Sequence, residues 1–210
     1  TMPYQVSDVT LLEGKAPGDL ITATLEVGDT KGVLTAVTKT GHADLPTTPT
    51  GPTIAPVTVL TEGSVVPEEI LIDQDGKARP FATYRGHTVA VTFSYTTCPM
   101  PDFCPLMDRN FATVQVALAK LPELAHVRLA TVTIDPLHDT PAVLKKHAQT
   151  LKANPAVWSF LTGDEANVGH FAAQFGLSVM RDEKDPTNIT HTLRTLVIDP
   201  TGKDRKSTRL

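Results

Sequence analysis

The sequence predicts an α/β fold, a central mixed sheet with flanking helices, preceded by a partial β module. Three observations carry this. From about residue 65, apolar runs of strand length alternate with stretches of helical period. The only two cysteines, Cys98 and Cys104, lie where an apolar run gives way to a helical pattern. The first 40 residues hold short β-like runs without helical period and are followed by a stretch rich in Pro and Thr.

Taken in order, residues 8–12, 20–27 and 32–38 carry Val, Thr, Leu and Ile in partial alternation. Gly14, Pro17-Gly18 and Gly28-Asp29 separate them. They are expected to be three strands of a small β module over residues 1–40. Residues 41–63 contain Pro46, Pro49, Pro52 and Pro56 among many threonines, cannot bury a core, and read as a semi-extended linker. Proteolysis is expected to cut there first.

The main domain is assigned to residues 64–210. Residues 69–73 and the following Gln74-Asp75-Gly76-Lys77 read as a strand and hairpin turn. Residues 89–95 form an apolar strand. Met107, Phe111, Val114, Leu118 and Leu121 then repeat at helical spacing, which predicts a helix over 105–121 with those side chains on one face. A strand over 127–134 follows. Thr140-Pro141 reads as an N-cap with proline at the first helical position, and Leu144, Ala148 and Leu151 share a face of that helix. Residues 157–161 read as a strand. Thr162-Gly163-Asp164 opens a helix with Val168, Phe171, Ala172 and Phe175 inward and Gly176 as its stop. A final strand is expected over 192–198, with His191 opening it. A thiol pair at the end of the first central strand of such a sheet predicts a thioredoxin-like fold.

Composition excludes several classes. The chain has 210 residues, 40% hydrophobic and 20% charged, with a formal net charge of -4. A mild negative balance with no basic stripe gives no nucleic-acid signature. No apolar run approaches the ~20 residues of a membrane span, and the opening TMPYQV has no signal-peptide pattern. The chain starts at Thr1, which reads as a fragment or a processed form.

The cysteines carry the chemistry. Cys104 precedes Pro105 at a predicted helix N-terminus, where unpaired N–H groups favour a thiolate, so its pKa is expected to lie below the ordinary value of ~8.5. Cys98, on the loop, is expected to be the more exposed. Two such thiols suit redox exchange or a soft metal such as Cu(I), and their spacing equally permits a structural disulfide. Asp135, at a strand end, reads as a turn residue or an outer partner of the thiols. Met107 falls on the core face, whereas Met100 sits in the loop within reach of a metal there. His87, His126, His138, His147 and His170 share no short metal spacing and read as surface or helix residues.

Three separated segments, YRGHTVAVTFSYTTCPMPDFCPLMDRNF, VTIDPLHDTPAVLKKHA and THTLRTLVIDPTGK, occur in an order that resembles the Sco/SenC family of thioredoxin-like copper chaperones. The resemblance spans about residues 65–204. It implies a copper site made of Cys98, Cys104 and His191, and a copper-receiving cytochrome c oxidase subunit as partner. It also implies a periplasmic or membrane-associated location facing an oxidising compartment, with the full-length form anchored to a membrane. The family spacing is Cys-x3-Cys, and here it is Cys-x5-Cys. MPYQV with LLEGKAPGDLITATLEV resembles the second half of a CusF-like copper-binding β-barrel, with only Met2 kept of its upstream ligands. The resemblance also implies a further strand and helix after Asp204. Where this chain has RKSTRL instead, truncation is expected to leave an uncovered edge near Leu196 and Ile198.

Three functions compete for the same cysteines. The first is a non-enzymatic copper metallochaperone, and the second is a thiol–disulfide oxidoreductase. The third, a thiol peroxidase, is disfavoured, because Tyr95 stands where a peroxidatic cysteine has Thr or Ser three positions before it. Cys98 is also followed by Pro99 rather than by Gly.

Overall fold

A computed structural model describes residues 5–27, 32–43, 57–181 and 189–209. The chain divides into two compact units, Thr1–Thr53 and Ile54–Leu210.

In the first unit, β1 (Gln5–Val6), β2 (Asp19–Val27) and β3 (Gly32–His42) form a sheet in the order β1-β3-β2. β2 and β3 are antiparallel, from Asp19 opposite His42 to Val27 opposite Gly32. The Asp19 carboxylate staples the open end of this pair, accepting from Lys39 Nζ at 2.7 Å, His42 Nδ1 at 2.8 Å and the Ala16 N–H at 2.9 Å. The expected first strand is absent. Val9–Leu12 is instead a short 3-10 helix, because the Asp8 side chain accepts from the Thr10 N–H and caps the turn. Among the described residues of this unit only Val37 is a buried hydrophobic, while Leu20, Ile21 and Leu25 are exposed. So small a core adds little cooperative stability. A protein consisting of Ile54–Leu210 is therefore expected to unfold in the same transition as the whole chain. Calorimetry checks this, and a melting temperature lower by more than about 8 °C, the scale of a 2 kcal/mol loss in such a domain, would contradict it.

The second unit contains β4 (Ile70–Asp73), β5 (Ala78–Pro80), β6 (Thr88–Ser94), α1 (Cys104–Leu118), β7 (Val127–Thr133), α2 (Pro141–Thr150) and β8 (Trp158–Thr162). These are followed by α3 (Glu165–Gln174), β9 (Val179–Arg181), β10 (Ile189–His191), β11 (Arg194–Ile198) and β12 (Asp204–Arg209). Seven strands form a sheet in the order β12-β11-β6-β7-β8-β4-β5, and β9 with β10 makes a separate antiparallel ribbon. β6, β7 and β8 run parallel in the centre and the other pairings are antiparallel, so the sheet is mixed as expected.

Period-2 alternation along the central strands builds two apolar layers. Val89, Val91 and Phe93 of β6, with Ala130 and Val132 of β7, meet Val168 and Phe171 of α3 and Phe175 just after it. Leu129, Trp158 and Phe160 face the opposite way, against Phe111 of α1 and Leu144 and Ala148 of α2. Each helix start has a local reason. Thr140 caps α2 and Asp164 caps α3, accepting from the Asn167 N–H at 2.8 Å. Gly176 ends α3 at φ +69°, which lets its N–H and that of Leu177 reach the Ala173 and Ala172 carbonyls.

Four expectations are corrected. α1 ends at Leu118, and Val114 and Leu121 are exposed because the buried stripe of Cys104, Met107, Asp108 and Phe111 spans only its first two turns. Residues 57–63, read as linker, include Leu60, which packs on the core and donates its N–H to the Gln174 carbonyl at 2.7 Å. The strand expected over 192–198 starts at Arg194. His191 closes β10 instead, and the chain changes partners between them, Thr192 bonding to Ser178. The tail forms β12 along β11, so Leu196 and Ile198 are buried rather than left at an open edge.

Candidate metal centre

β6 ends at Ser94, and residues 95–103 cross from it to the start of α1. Cys104 is the first residue of α1 and is buried, while Cys98 is half-buried against the core. Both are free thiols. His191, at the end of β10, brings Nε2 to 3.8 Å from Cys104 Sγ across 87 residues of sequence. Its Nδ1 lies 3.2 Å from the Thr192 carbonyl. A proton on Nδ1 donates to that carbonyl and leaves the Nε2 lone pair facing the sulfur, the tautomer a metal ligand needs. Burial lowers the His191 pKa below its ordinary 6.5, so the ring is neutral at pH 7.

The expected Cys104 thiolate is corrected. Burial pushes this thiol from 9.0 up to about 12. The helix N-terminus loses to desolvation because the sulfur lies in the core, and neighbouring Cys98 and the Asp108 carboxylate push the same way. In the native state the raised pKa keeps the thiol neutral, so the stability it contributes is whole below pH 9.0 and is lost as pH rises toward about 12. The reduced metal-free protein is expected to weaken over that window. Urea midpoints measured against pH check this, and Cys104→Ala is expected to flatten the fall. An equally steep fall in the variant would contradict the assignment.

Two further carboxylates hold the thiol loop and the β9–β10 ribbon, one each. The Asp139 carboxylate, fully buried, accepts from the Thr96 N–H at 3.1 Å, from the Thr96 hydroxyl, and from the Thr133 hydroxyl at 2.6 Å. It thus fixes the chain two residues before Cys98. Asp135 is buried and accepts from Arg181 of β9 at 2.8 Å, which joins it to the strand opposite His191. Asp139 was legible only as a residue ahead of a helix cap. Its pairing with Thr96 and Thr133 depends on two parallel strand ends lying side by side.

The remaining candidates separate clearly. Met107 is buried, with Sδ at 3.8 Å from the Thr195 hydroxyl, and belongs to the core. Met100 is exposed, and its carbonyl is 3.9 Å from Cys98 Sγ. His147 pairs with Asp108 at 2.9 Å, His170 with Glu69 at 3.3 Å and His138 with Asp139 at 3.1 Å, so each has a carboxylate partner and none of these pairings includes a thiol. Among the described residues no three Cys, His, Asp or Glu side chains already stand together at metal-binding distance. The structure preassembles Cys104 with His191 and leaves Cys98 beside them on the loop.

The comparisons with known proteins agree with this architecture. The SCO1/SenC family model matches residues 62–208, so the first unit lies wholly outside it. The chain is 26% identical to the SCO1 protein homolog of Bacillus subtilis over 132 residues, 62% of this chain and 66% of that protein. It is 28% identical to a SCO2-like protein of Rickettsia typhi over 166 residues, covering 74% and 76%. It is 27% identical to the mouse mitochondrial SCO2 homolog over 135 residues, covering 63% and 51%, so the chain spans about half to three quarters of these relatives. Among solved structures, a SCO1/SenC family lipoprotein from Bacillus anthracis superposes with a TM-score of 0.63 at 24% identity, covering 72% of this chain and 89% of that one. BsSco, described as having a disulfide switch, gives 0.60 at 26% identity, covering 72% and 87%. Yeast Sco1 with copper bound gives 0.59 at 21%, covering 69% and 78%. With the family model matched over more than two thirds of its residues, this chain belongs to the SCO1/SenC family.

Proposed function

We propose that the chain is a copper metallochaperone of cytochrome c oxidase assembly, holding one copper ion through Cys98, Cys104 and His191. The observation that carries this is the approach of Cys104 Sγ to His191 Nε2, 3.8 Å, at the end of the strand that delivers Cys98. Two sulfurs and a neutral imidazole are a soft donor set, suited to copper rather than to magnesium or calcium. BsSco is described as a member of a family of cytochrome c oxidase assembly proteins, and the yeast relative was solved with copper, which supports the same reading.

The exposure gradient suggests an order of events. Cys98 is the accessible thiol and meets incoming metal first, while Cys104 and His191 complete the site from within. Each thiol that binds gives up a proton, so apparent affinity rises with pH, whereas the already neutral His191 releases none near pH 7. Release runs in reverse, with Cys98 the ligand open to exchange with a copper-receiving oxidase subunit. The relatives include a lipoprotein and mitochondrial proteins, consistent with work at a membrane-associated, oxidising compartment. Among the described residues no helix is long and apolar enough to cross a membrane.

Anaerobic titration with Cu(I) tests this. The reduced protein is expected to bind one ion per chain and the Cys98–Cys104 disulfide form none. Equal binding by both forms would overturn the reading. The second reading, a thiol–disulfide oxidoreductase, is favoured by the disulfide switch ascribed to BsSco. Only the copper reading requires His191.

A further inference from the structure

One residue bridges the thiol loop and the histidine. Tyr95 follows β6 directly and is buried. Its carbonyl accepts from the Cys98 N–H at 3.3 Å. Its ring packs edge-on against His191, with centroids 5.9 Å apart at 74°. Its hydroxyl donates to the Ile189 carbonyl at 3.3 Å, two residues before His191.

We infer that Tyr95 is a positioning residue of the metal centre, its ring and hydroxyl holding β10 so that His191 faces Cys104. The inference deepens the copper reading and rests on it for the loaded state. A phenol suits this task, because its rigid ring carries the O–H far from the backbone to a carbonyl of the neighbouring strand. A group that fixes a ligating imidazole strengthens its hold on the metal. Phenylalanine would keep the ring contact with His191 and the backbone bond to Cys98, so the hydroxyl alone is removed by Tyr95→Phe.

The test measures copper binding by Tyr95→Phe. Cu(II) affinity is expected to fall about tenfold, the range of one lost outer partner of a metal ligand. The nitrogen hyperfine coupling of the bound imidazole is expected to weaken with it, whereas Cu(I), held by two thiolates, is bound nearly as before. Affinity and coupling both unchanged in a variant that melts like the parent would overturn the inference. Should Tyr95→Phe fail to fold, the Tyr95 hydroxyl proton of the parent decides: slow exchange with solvent supports the bond to β10, and exchange as fast as that of a free phenol overturns it. Failure of the copper reading is read separately, as retention of full copper binding by Cys98→Ser and Cys104→Ser. The hydroxyl proton still decides the role of Tyr95 in that event.

Discussion

Cys104→Ser is expected to lower Cu(I) affinity by more than about a hundredfold, beyond the 10–100-fold that loss of an outer partner typically costs. The reason is geometric as well as chemical. Cys104 is the buried member of the proposed donor set, it faces His191 directly, and a hydroxyl is a poor donor to a soft cation. His191→Ala should behave differently. Two thiolates still hold Cu(I), so the loss there is smaller, while Cu(II), which prefers imidazole, is bound far less well. Disulfide formation between Cys98 and Cys104 should persist in His191→Ala, which separates metal binding from thiol redox. Competition against a chromophoric chelator measures all of these. Parent-like affinity in Cys104→Ser would remove this residue from the site.

Asp139→Ala is expected to cost on the order of 3–5 kcal/mol of stability, because it leaves three donors around the buried carboxylate without a partner at about 1–3 kcal/mol each, part of which relaxation recovers. The carboxylate is wholly buried, and its loss orphans the Thr96 N–H and the hydroxyls of Thr96 and Thr133. Asp139→Asn should cost less, since one amide oxygen still accepts. Urea unfolding gives the figure, and a loss below about 1 kcal/mol, the worth of a single ordinary hydrogen bond, would mean that the network is not formed. Because Thr96 lies two residues before Cys98, copper affinity should also drop in the surviving folded fraction, though less than in Cys104→Ser.

The sequence was most readable where local rules and burial agree. The run before Cys98 is apolar because β6 is central and covered on both faces. Thr140 and Asp164 announce their helices because a side-chain oxygen there meets backbone N–H groups that have no other partner. Three features were hidden because they depend on the fold. β12 pairs through its backbone, and its polar residues give no alternation to read. The β9–β10 ribbon is three residues on each side, too short for a period, yet it is what aims His191 at Cys104. The Cys104 proton follows from burial of the sulfur, which position at a helix start does not reveal. The resemblance implied the three proposed ligands, and the structure accounts for how two of those residues meet.

X-ray absorption at the copper edge of the Cu(I)-loaded, reduced protein tests the central claim most directly. The account predicts a first shell of two sulfurs and one imidazole nitrogen, with the nitrogen missing in His191→Ala and one sulfur missing in Cys104→Ser. A shell dominated by nitrogen and oxygen, or one unaltered by both substitutions, would contradict it.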